Sequence, residues 1–194
     1  MGNRQEILLT GAGGQGLILA SIVLAQAAVN DNKNVVQTQS YGPEARGGAS
    51  MAGVIIDIDT IEYPKVVNPT VLLCLNQASF NKFLPKIKKV GECVVIVDST
   101  FVSGPFRDEY KVKSYPITRM AKEKIGKEVV ANMLALGVLN AATNLIDRDI
   151  FRESIFELAP KGSGELNQQA FDLGYRLYEQ GSGQGMEESA QTPQ

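Results

Sequence analysis

The chain has 194 residues, of which 44% are hydrophobic, and its formal net charge is −2 at pH 7. That length suits one domain with a single substantial core, and the even balance of charge gives no indication of the basic surface by which proteins bind nucleic acid. The sequence contains no histidine, which excludes catalytic triads and zinc sites that depend on imidazole.

The N-terminal part of the chain predicts a strand, a glycine-rich turn and a helix. The run EILLTG at 6–11 is typical of a short buried strand, and residues 14–29 have the spacing of a helix. Between them, Gly11, Gly13 and Gly16 have the G-x-G-x-x-G spacing of a dinucleotide-binding turn. Because a helix start offers free N–H groups and the positive end of its dipole, we expect an anion or the backbone of a partner there.

The rest of the chain alternates strands with helices. Continuous apolar runs indicate strands that are covered on both faces, and Asp147 is placed to cap a helix. The predicted strands span 33–41, 49–57, 70–76, 93–100 and 110–118, and the predicted helices span 77–89, 128–143, 147–159 and 165–180. This order predicts an α/β fold with a Rossmann-like open, mostly parallel sheet and helices on both faces. We expect one such domain over residues 1–180 and a disordered tail over 181–194.

The helix predicted at 128–143 is apolar on nearly all sides. Such a helix needs a sheet on one side and a partner on the other. We expect it to contribute, with the loop after the second strand, to a sticky surface through which the isolated chain self-associates.

Cysteine content and the length of the apolar runs limit the classes of protein further. Cys74 and Cys93 each lie in an apolar run, where a free thiol packs as a small hydrophobe, and a cubane iron–sulfur cluster takes four thiolates. The longest apolar run, 17–29, is shorter than the roughly 20 residues of a membrane span, and the first residues lack the layout of a signal peptide. We therefore expect a cytoplasmic protein that does not enter a membrane.

The end of the second predicted strand bears on the ligand of the glycine turn. A nicotinamide site needs an acidic residue at that point, about 20 positions beyond the turn, whereas this strand ends with Gln37 and Gln39. The hypothesis of a nicotinamide or flavin enzyme therefore lacks the acidic residue that would support it beside the glycine spacing. It stays open as an alternative, as does a purely structural tight turn.

The segment QTQSYGPEARGGAS at 37–50 is the second unusual stretch, and in a doubly wound sheet it lies beside the glycine turn. It carries hydroxyl, carboxylate and guanidinium groups together with flexible glycines, on Ser40, Tyr41, Glu44, Arg46, Gly47 and Gly48. So many different polar groups favour a binding loop. The plainer alternative is a surface loop with an ion pair between Glu44 and Arg46.

These two stretches together resemble a known family. GAGGQG at 11–16, followed by QSYGPEARGG at 39–48, closely resembles the corresponding motifs of the gamma subunit of 2-oxoacid:ferredoxin oxidoreductases. The residues of the second motif are most similar to those of the 2-oxoglutarate branch. EYPKV at 62–66 and ANMLALG at 131–137 extend the resemblance, which covers about residues 5 to 180.

The resemblance implies a division of labour among subunits. In that family thiamine diphosphate, with magnesium, lies between the alpha and beta subunits and decarboxylates the 2-oxoacid, and iron–sulfur clusters pass electrons to ferredoxin. The acyl group leaves on coenzyme A. The gamma subunit has a Rossmann-like fold and holds neither thiamine nor a cluster, so this chain is expected to be inactive alone and to assemble with alpha, beta and delta subunits.

The resemblance also implies a role for the two motifs in binding coenzyme A. The glycine turn would approach the pyrophosphate, and Arg46 would pair with a phosphate or with a carboxylate of the alpha subunit. The candidate site residues are Gly11, Gly13, Gly14, Gln15, Gly16, Ser40, Tyr41, Gly42, Glu44, Arg46 and Gly47. The implied reaction converts 2-oxoglutarate and coenzyme A to succinyl-CoA and reduces ferredoxin. Pyruvate, a branched-chain 2-oxoacid or indolepyruvate as substrate, and a structural interaction module without a ligand, stay open as alternatives.

Overall fold

The computed structural model describes residues 4–39 and 50–183. Six strands in this part of the chain form one sheet, in the order β2-β3-β1-β4-β5-β6. The strands are β1 (Gln5–Gly11), β2 (Asn34–Gln39), β3 (Ser50–Asp57), β4 (Val71–Cys74), β5 (Val94–Asp98) and β6 (Val112–Tyr115). The apolar runs predicted to be buried strands form the centre of the sheet.

The sheet is mostly parallel, as predicted. β4 pairs in parallel with both β1 and β5, and β5 pairs in parallel with β6. β3 is the exception, because it lies between β1 and β2 and runs antiparallel to both. The second strand is therefore not the neighbour of the first, as it would be in a doubly wound sheet built only from β-α-β units.

Helices cover both faces of the sheet, which confirms the predicted layering. On one face α1 (Leu17–Asn30) and α4 (Ala131–Thr143) pack on the strands, with α5 (Arg148–Leu158) and α6 (Gly164–Gly183) outside them. On the other face α2 (Gln77–Phe83) and the segments that follow it form a thinner layer. A short helix, α3 (Ile117–Met120), continues as a π-helical turn over Ala121–Ile125 and leads towards α4.

The apolar helix α4 finds its partner within the chain. Every residue from 131 to 140 is buried, because α6 crosses over α4 on the side away from the sheet. The two helices approach so closely that a Cβ on Gly137 would lie 2.1 Å from the Phe171 carbonyl oxygen, and one on Gly174 would lie 2.2 Å from the Leu134 oxygen. The expectation that this helix leaves a sticky surface for other chains is wrong, since intramolecular packing has already covered it.

The ends of several elements differ slightly from the expected ones. The helix predicted from 128 begins with a 3-10 turn over Glu128–Val130, and α6 reaches Gly183 rather than residue 180. Asp147 caps α5 as predicted, since its Oδ1 accepts hydrogen bonds from the N–H groups of Asp149 and Ile150 at 2.9 and 3.1 Å. The rest of the predicted tail, 184–194, lies outside the described residues. Within the described ranges, the helices are too short or too polar to cross a membrane.

Candidate functional site

The candidate site lies at the carboxyl edge of the parallel strands, where the chain changes face. β1 leads into α1 on one face of the sheet, whereas β4 leads into α2 on the opposite face. In open α/β sheets ligands bind in the crevice at such a topological switch point. The glycine turn over residues 12–16 lies at this point, so the fold places the first motif where a ligand is expected.

Close packing explains two of the glycines in the turn. A Cβ on Gly11 would lie 2.4 Å from Oε1 of Gln15. Gly16 has a left-handed backbone with φ of 71°, and a Cβ there would lie 2.5 Å from Nδ2 of Asn132. A side chain at Gly11 would therefore displace the amide of Gln15, and one at Gly16 would displace the amide of Asn132; Gly16 is also favoured by its left-handed backbone.

Gln15 links the ends of the two strands on either side of the switch point. Its Oε1 accepts a hydrogen bond from the N–H of Ala12 at 2.6 Å, and its Nε2 donates to the carbonyl oxygen of Leu75 at 3.1 Å. Its own N–H lies 3.3 Å from the carbonyl oxygen of Ala12. The polar groups of Gln15 are thus engaged in hydrogen bonds with the backbone of the turn and of the segment after β4.

Asn132, at the start of α4, holds the other end of the turn. Its Nδ2 donates to the carbonyl oxygen of Gly16 at 3.1 Å, and its Oδ1 accepts from the N–H of Met133 at 2.9 Å. The side chain is almost fully buried. Sequence reasoning did not select Asn132 as a site residue, although an asparagine within an apolar helix is a signal of a specific polar contact.

The outer side of the turn is open. Gly13 and Gly14 are exposed, and a Cβ on either would meet no described atom within 4 Å. Among the described residues, α1 has no capping side chain, and its first turn has no acidic residue. Its N-terminal N–H groups and positive dipole end therefore have no capping side chain or first-turn carboxylate as a competitor for an anion. The arrangement can accept an anion such as a phosphate or pyrophosphate.

The second motif begins and ends at the same edge. Gln39 ends β2, and Ser50 begins β3 directly opposite Gly11 in the antiparallel register. Its predicted site residues, Ser40, Tyr41, Gly42, Glu44, Arg46 and Gly47, lie outside the described residues. The described ends of the motif thus lie at the edge that carries the glycine turn, and they are connected to β1 through β3 rather than through direct pairing of β1 with β2.

The strand order weakens the nicotinamide alternative. The strand beside β1 is β3, which presents its first residue, Ser50, next to Gly11. Ser50, the described residue opposite Gly11, supplies no carboxylate to hold ribose hydroxyls. The side chain of Gln37 on β2 is also engaged, since its Nε2 donates to Oγ of Ser21 on α1 at 2.9 Å.

The two cysteines are buried free thiols, as predicted. Burial raises the pKa of Cys74 and of Cys93 to about 12. Because the thiolate is the form that binds metal, these side chains do not fit an iron–sulfur cluster. Among residues 4–39 and 50–183, no group of three or more histidine, cysteine, aspartate or glutamate side chains could hold a metal ion.

Comparison with known proteins agrees with this architecture. The model of the pyruvate ferredoxin/flavodoxin oxidoreductase family matches residues 6–177. The 2-oxoglutarate synthase subunit KorC of Methanocaldococcus jannaschii is 46% identical over 177 residues, which cover 90% of this chain and 94% of that subunit.

More distant and structural relatives extend the comparison. The ketoisovalerate oxidoreductase subunit VorA of Methanothermobacter thermautotrophicus is 33% identical over 91% of this chain, and the match spans 35% of that subunit. Among solved structures, the gamma subunit of a keto/oxoacid ferredoxin oxidoreductase from Geobacter sulfurreducens matches with a TM-score of 0.80 and 38% identity, covering 91% of this chain and 99% of that one.

Proposed function

The chain belongs to the pyruvate ferredoxin/flavodoxin oxidoreductase family, and from that premise we propose that it is the gamma subunit of a 2-oxoglutarate:ferredoxin oxidoreductase. The complex oxidatively decarboxylates 2-oxoglutarate in the cytoplasm, transfers the succinyl group to coenzyme A and reduces ferredoxin. Alpha, beta and delta subunits are the partners, and they hold thiamine diphosphate, magnesium and the iron–sulfur clusters. This chain assists coenzyme A binding and assembly, and it is inactive alone.

Sequence identity favours 2-oxoglutarate over other 2-oxoacids. The KorC subunit from M. jannaschii, named for 2-oxoglutarate synthase, is 46% identical to this chain, whereas the VorA subunit, named for ketoisovalerate, is 33% identical. Assay of the assembled complex with 2-oxoglutarate, pyruvate, a branched-chain 2-oxoacid and indolepyruvate decides the substrate, and preference for any of the last three would refute this part of the proposal.

The observation that carries the coenzyme A role is the open glycine turn at the switch point. Gly13 and Gly14 are exposed, with no described atom within 4 Å of an added Cβ, at the N-terminus of a 14-residue helix that has no capping side chain among the described residues. Backbone N–H groups and the helix dipole would bind the pyrophosphate of coenzyme A, and Arg46 would add a charge-assisted contact. These groups bind and orient the co-substrate, whereas the bond-breaking chemistry belongs to thiamine diphosphate in the partner subunits.

Arg46→Ala in the assembled complex tests this role. Loss of one charge-assisted contact should raise the KM for coenzyme A roughly ten- to a hundredfold, while the KM for 2-oxoglutarate changes little. Arg107→Ala is the matched control, because Arg107 forms an exposed ion pair with Glu109 at the same two-residue spacing as Arg46 and Glu44. An intact Arg46→Ala complex with unchanged coenzyme A kinetics would refute the ligand role. Dissociation of the complex would instead assign Arg46 to assembly.

A second experiment tests the division of labour. The purified chain alone should show no oxidoreductase activity, no binding of thiamine diphosphate and no visible absorbance after reconstitution with iron and sulfide, because its two thiols are buried and protonated. Activity should appear only when the partner subunits are added. Turnover of 2-oxoglutarate by the isolated chain would contradict the proposal.

A further inference from the structure

We propose that Gln15 is a positioning residue, which holds the glycine turn in the conformation that the co-substrate meets. The inference rests on the proposed function of the turn. It begins from an asymmetry among the turn residues: Gly13 and Gly14 are exposed, whereas the side chain of Gln15 points back into the protein and makes two hydrogen bonds.

Together these two hydrogen bonds connect the turn with a part of the chain that is distant in sequence. Ala12 belongs to the turn itself, and its N–H lies 2.6 Å from Oε1 of Gln15. Leu75 follows β4, and its carbonyl oxygen lies 3.1 Å from Nε2 of the same side chain. One planar amide thereby fixes the turn against the strand on the far side of the switch point.

A glutamine suits this position chemically. The group must accept a hydrogen bond from Ala12 and donate one to Leu75, which a primary amide does and a carboxylate or an ammonium does not. A glutamate would also place a negative charge beside the anion site, opposing the effect of the helix dipole. The nearby Gly11 leaves room for the amide, since a Cβ there would collide with Oε1.

The expected effect of Gln15 is on binding rather than on chemistry. A turn with two glycines in the left-handed region, Gly14 and Gly16, has many accessible conformations. If the amide is removed, only a fraction of molecules present the binding conformation, and the apparent affinity falls by that fraction. The maximal rate should not change, because Gln15 touches no reacting atom.

Gln15→Met in the assembled complex tests the inference, since methionine keeps the length of the side chain and removes both hydrogen bonds. Gln26→Met is the matched control on α1, where the glutamine amide donates a hydrogen bond to Oδ1 of the nearby Asn30 and lies away from the turn. Three quantities are measured: hydrogen exchange of the peptide that spans residues 9–17, kcat, and the KM for coenzyme A. Gln15→Met should speed exchange in that peptide and raise the KM about tenfold at unchanged kcat, and Gln26→Met should do neither.

Gln15→Glu separates geometry from charge. It keeps an acceptor for Ala12 and adds a negative charge, so it should protect the turn from exchange better than Gln15→Met and yet raise the KM for coenzyme A at least as much, with the larger effect at low salt. Unchanged exchange in Gln15→Met would overturn the inference whatever the kinetics. Faster exchange with an unchanged KM would confirm that Gln15 holds the turn, and it would refute the proposed coenzyme A role instead.

Discussion

Replacing Gly16 with alanine tests the packing of the glycine turn against α4. Gly16 has φ of 71°, and an added Cβ would lie 2.5 Å from Nδ2 of Asn132 and 3.1 Å from its Cγ. Gly16→Ala therefore imposes two separate costs. One is the left-handed backbone of a residue with a Cβ, and the other is the collision with a buried side chain that already donates a hydrogen bond to the carbonyl oxygen of Gly16.

The two costs have different sizes and can be separated. An alanine in the left-handed region costs about 1–2 kcal/mol relative to glycine. Overpacking against Asn132 costs about 1–3 kcal/mol, or about 1 kcal/mol if the amide moves away and loses its hydrogen bond. The sum is a loss of about 3 kcal/mol in the free energy of unfolding, which lowers the melting temperature by about 10 °C for a chain of this size.

A double-mutant cycle with Asn132→Ala is the assay. Urea unfolding of the four proteins gives the cost of Gly16→Ala with and without the asparagine. In the Asn132→Ala background only the backbone cost of about 1–2 kcal/mol should remain, so the coupling energy should be about 1–3 kcal/mol. Equal costs in the two backgrounds would refute the packing argument and attribute the whole effect to backbone conformation.

Three further predictions concern the rest of the fold. Gly137→Ala should cost at least about 3 kcal/mol, because the added Cβ meets the backbone oxygen of Phe171 and no side chain can move aside; a urea midpoint close to that of the wild type would contradict the close helix crossing. Burial raises the pKa of Cys74 and Cys93 to about 12, so the thiols lose their protons at a lower pH in the unfolded state than in the folded state. The free energy of unfolding should therefore be constant up to about pH 8.5 and fall as the pH rises towards 12. Cys93→Ala should reduce that slope in urea titrations between pH 8 and 10, and an unaltered slope would argue against the buried neutral thiol. Asp147→Ala should cost about 1 kcal/mol through the loss of the α5 cap, which thermal unfolding measures, and Asp147→Asn should recover most of it.

Local patterns in the sequence determined much of the architecture. Continuous apolar runs indicated that β4 and β5 are strands covered on both faces, and the glycine spacing indicated a tight turn before α1. Asp147 marked the start of α5, and the apolar surroundings of Cys74 and Cys93 indicated buried thiols. Such features were readable because burial, capping and turn formation depend on residues that are close together in the chain.

Tertiary structure alone decided which elements meet. The alternation of residues 50–57 predicts a strand but not its direction or its place between β1 and β2. The same alternating pattern is compatible with a parallel or an antiparallel strand and with different neighbours in the sheet. The partner of α4 proved to be α6. The two helices cross in contact at Gly137 and Gly174, and nothing in the sequence indicates that these two glycines meet. The contacts that hold the glycine turn join residues 60 and 116 positions apart. The sequence therefore located the turn, whereas its hydrogen bonds with Leu75 and Asn132 depend on long-range packing.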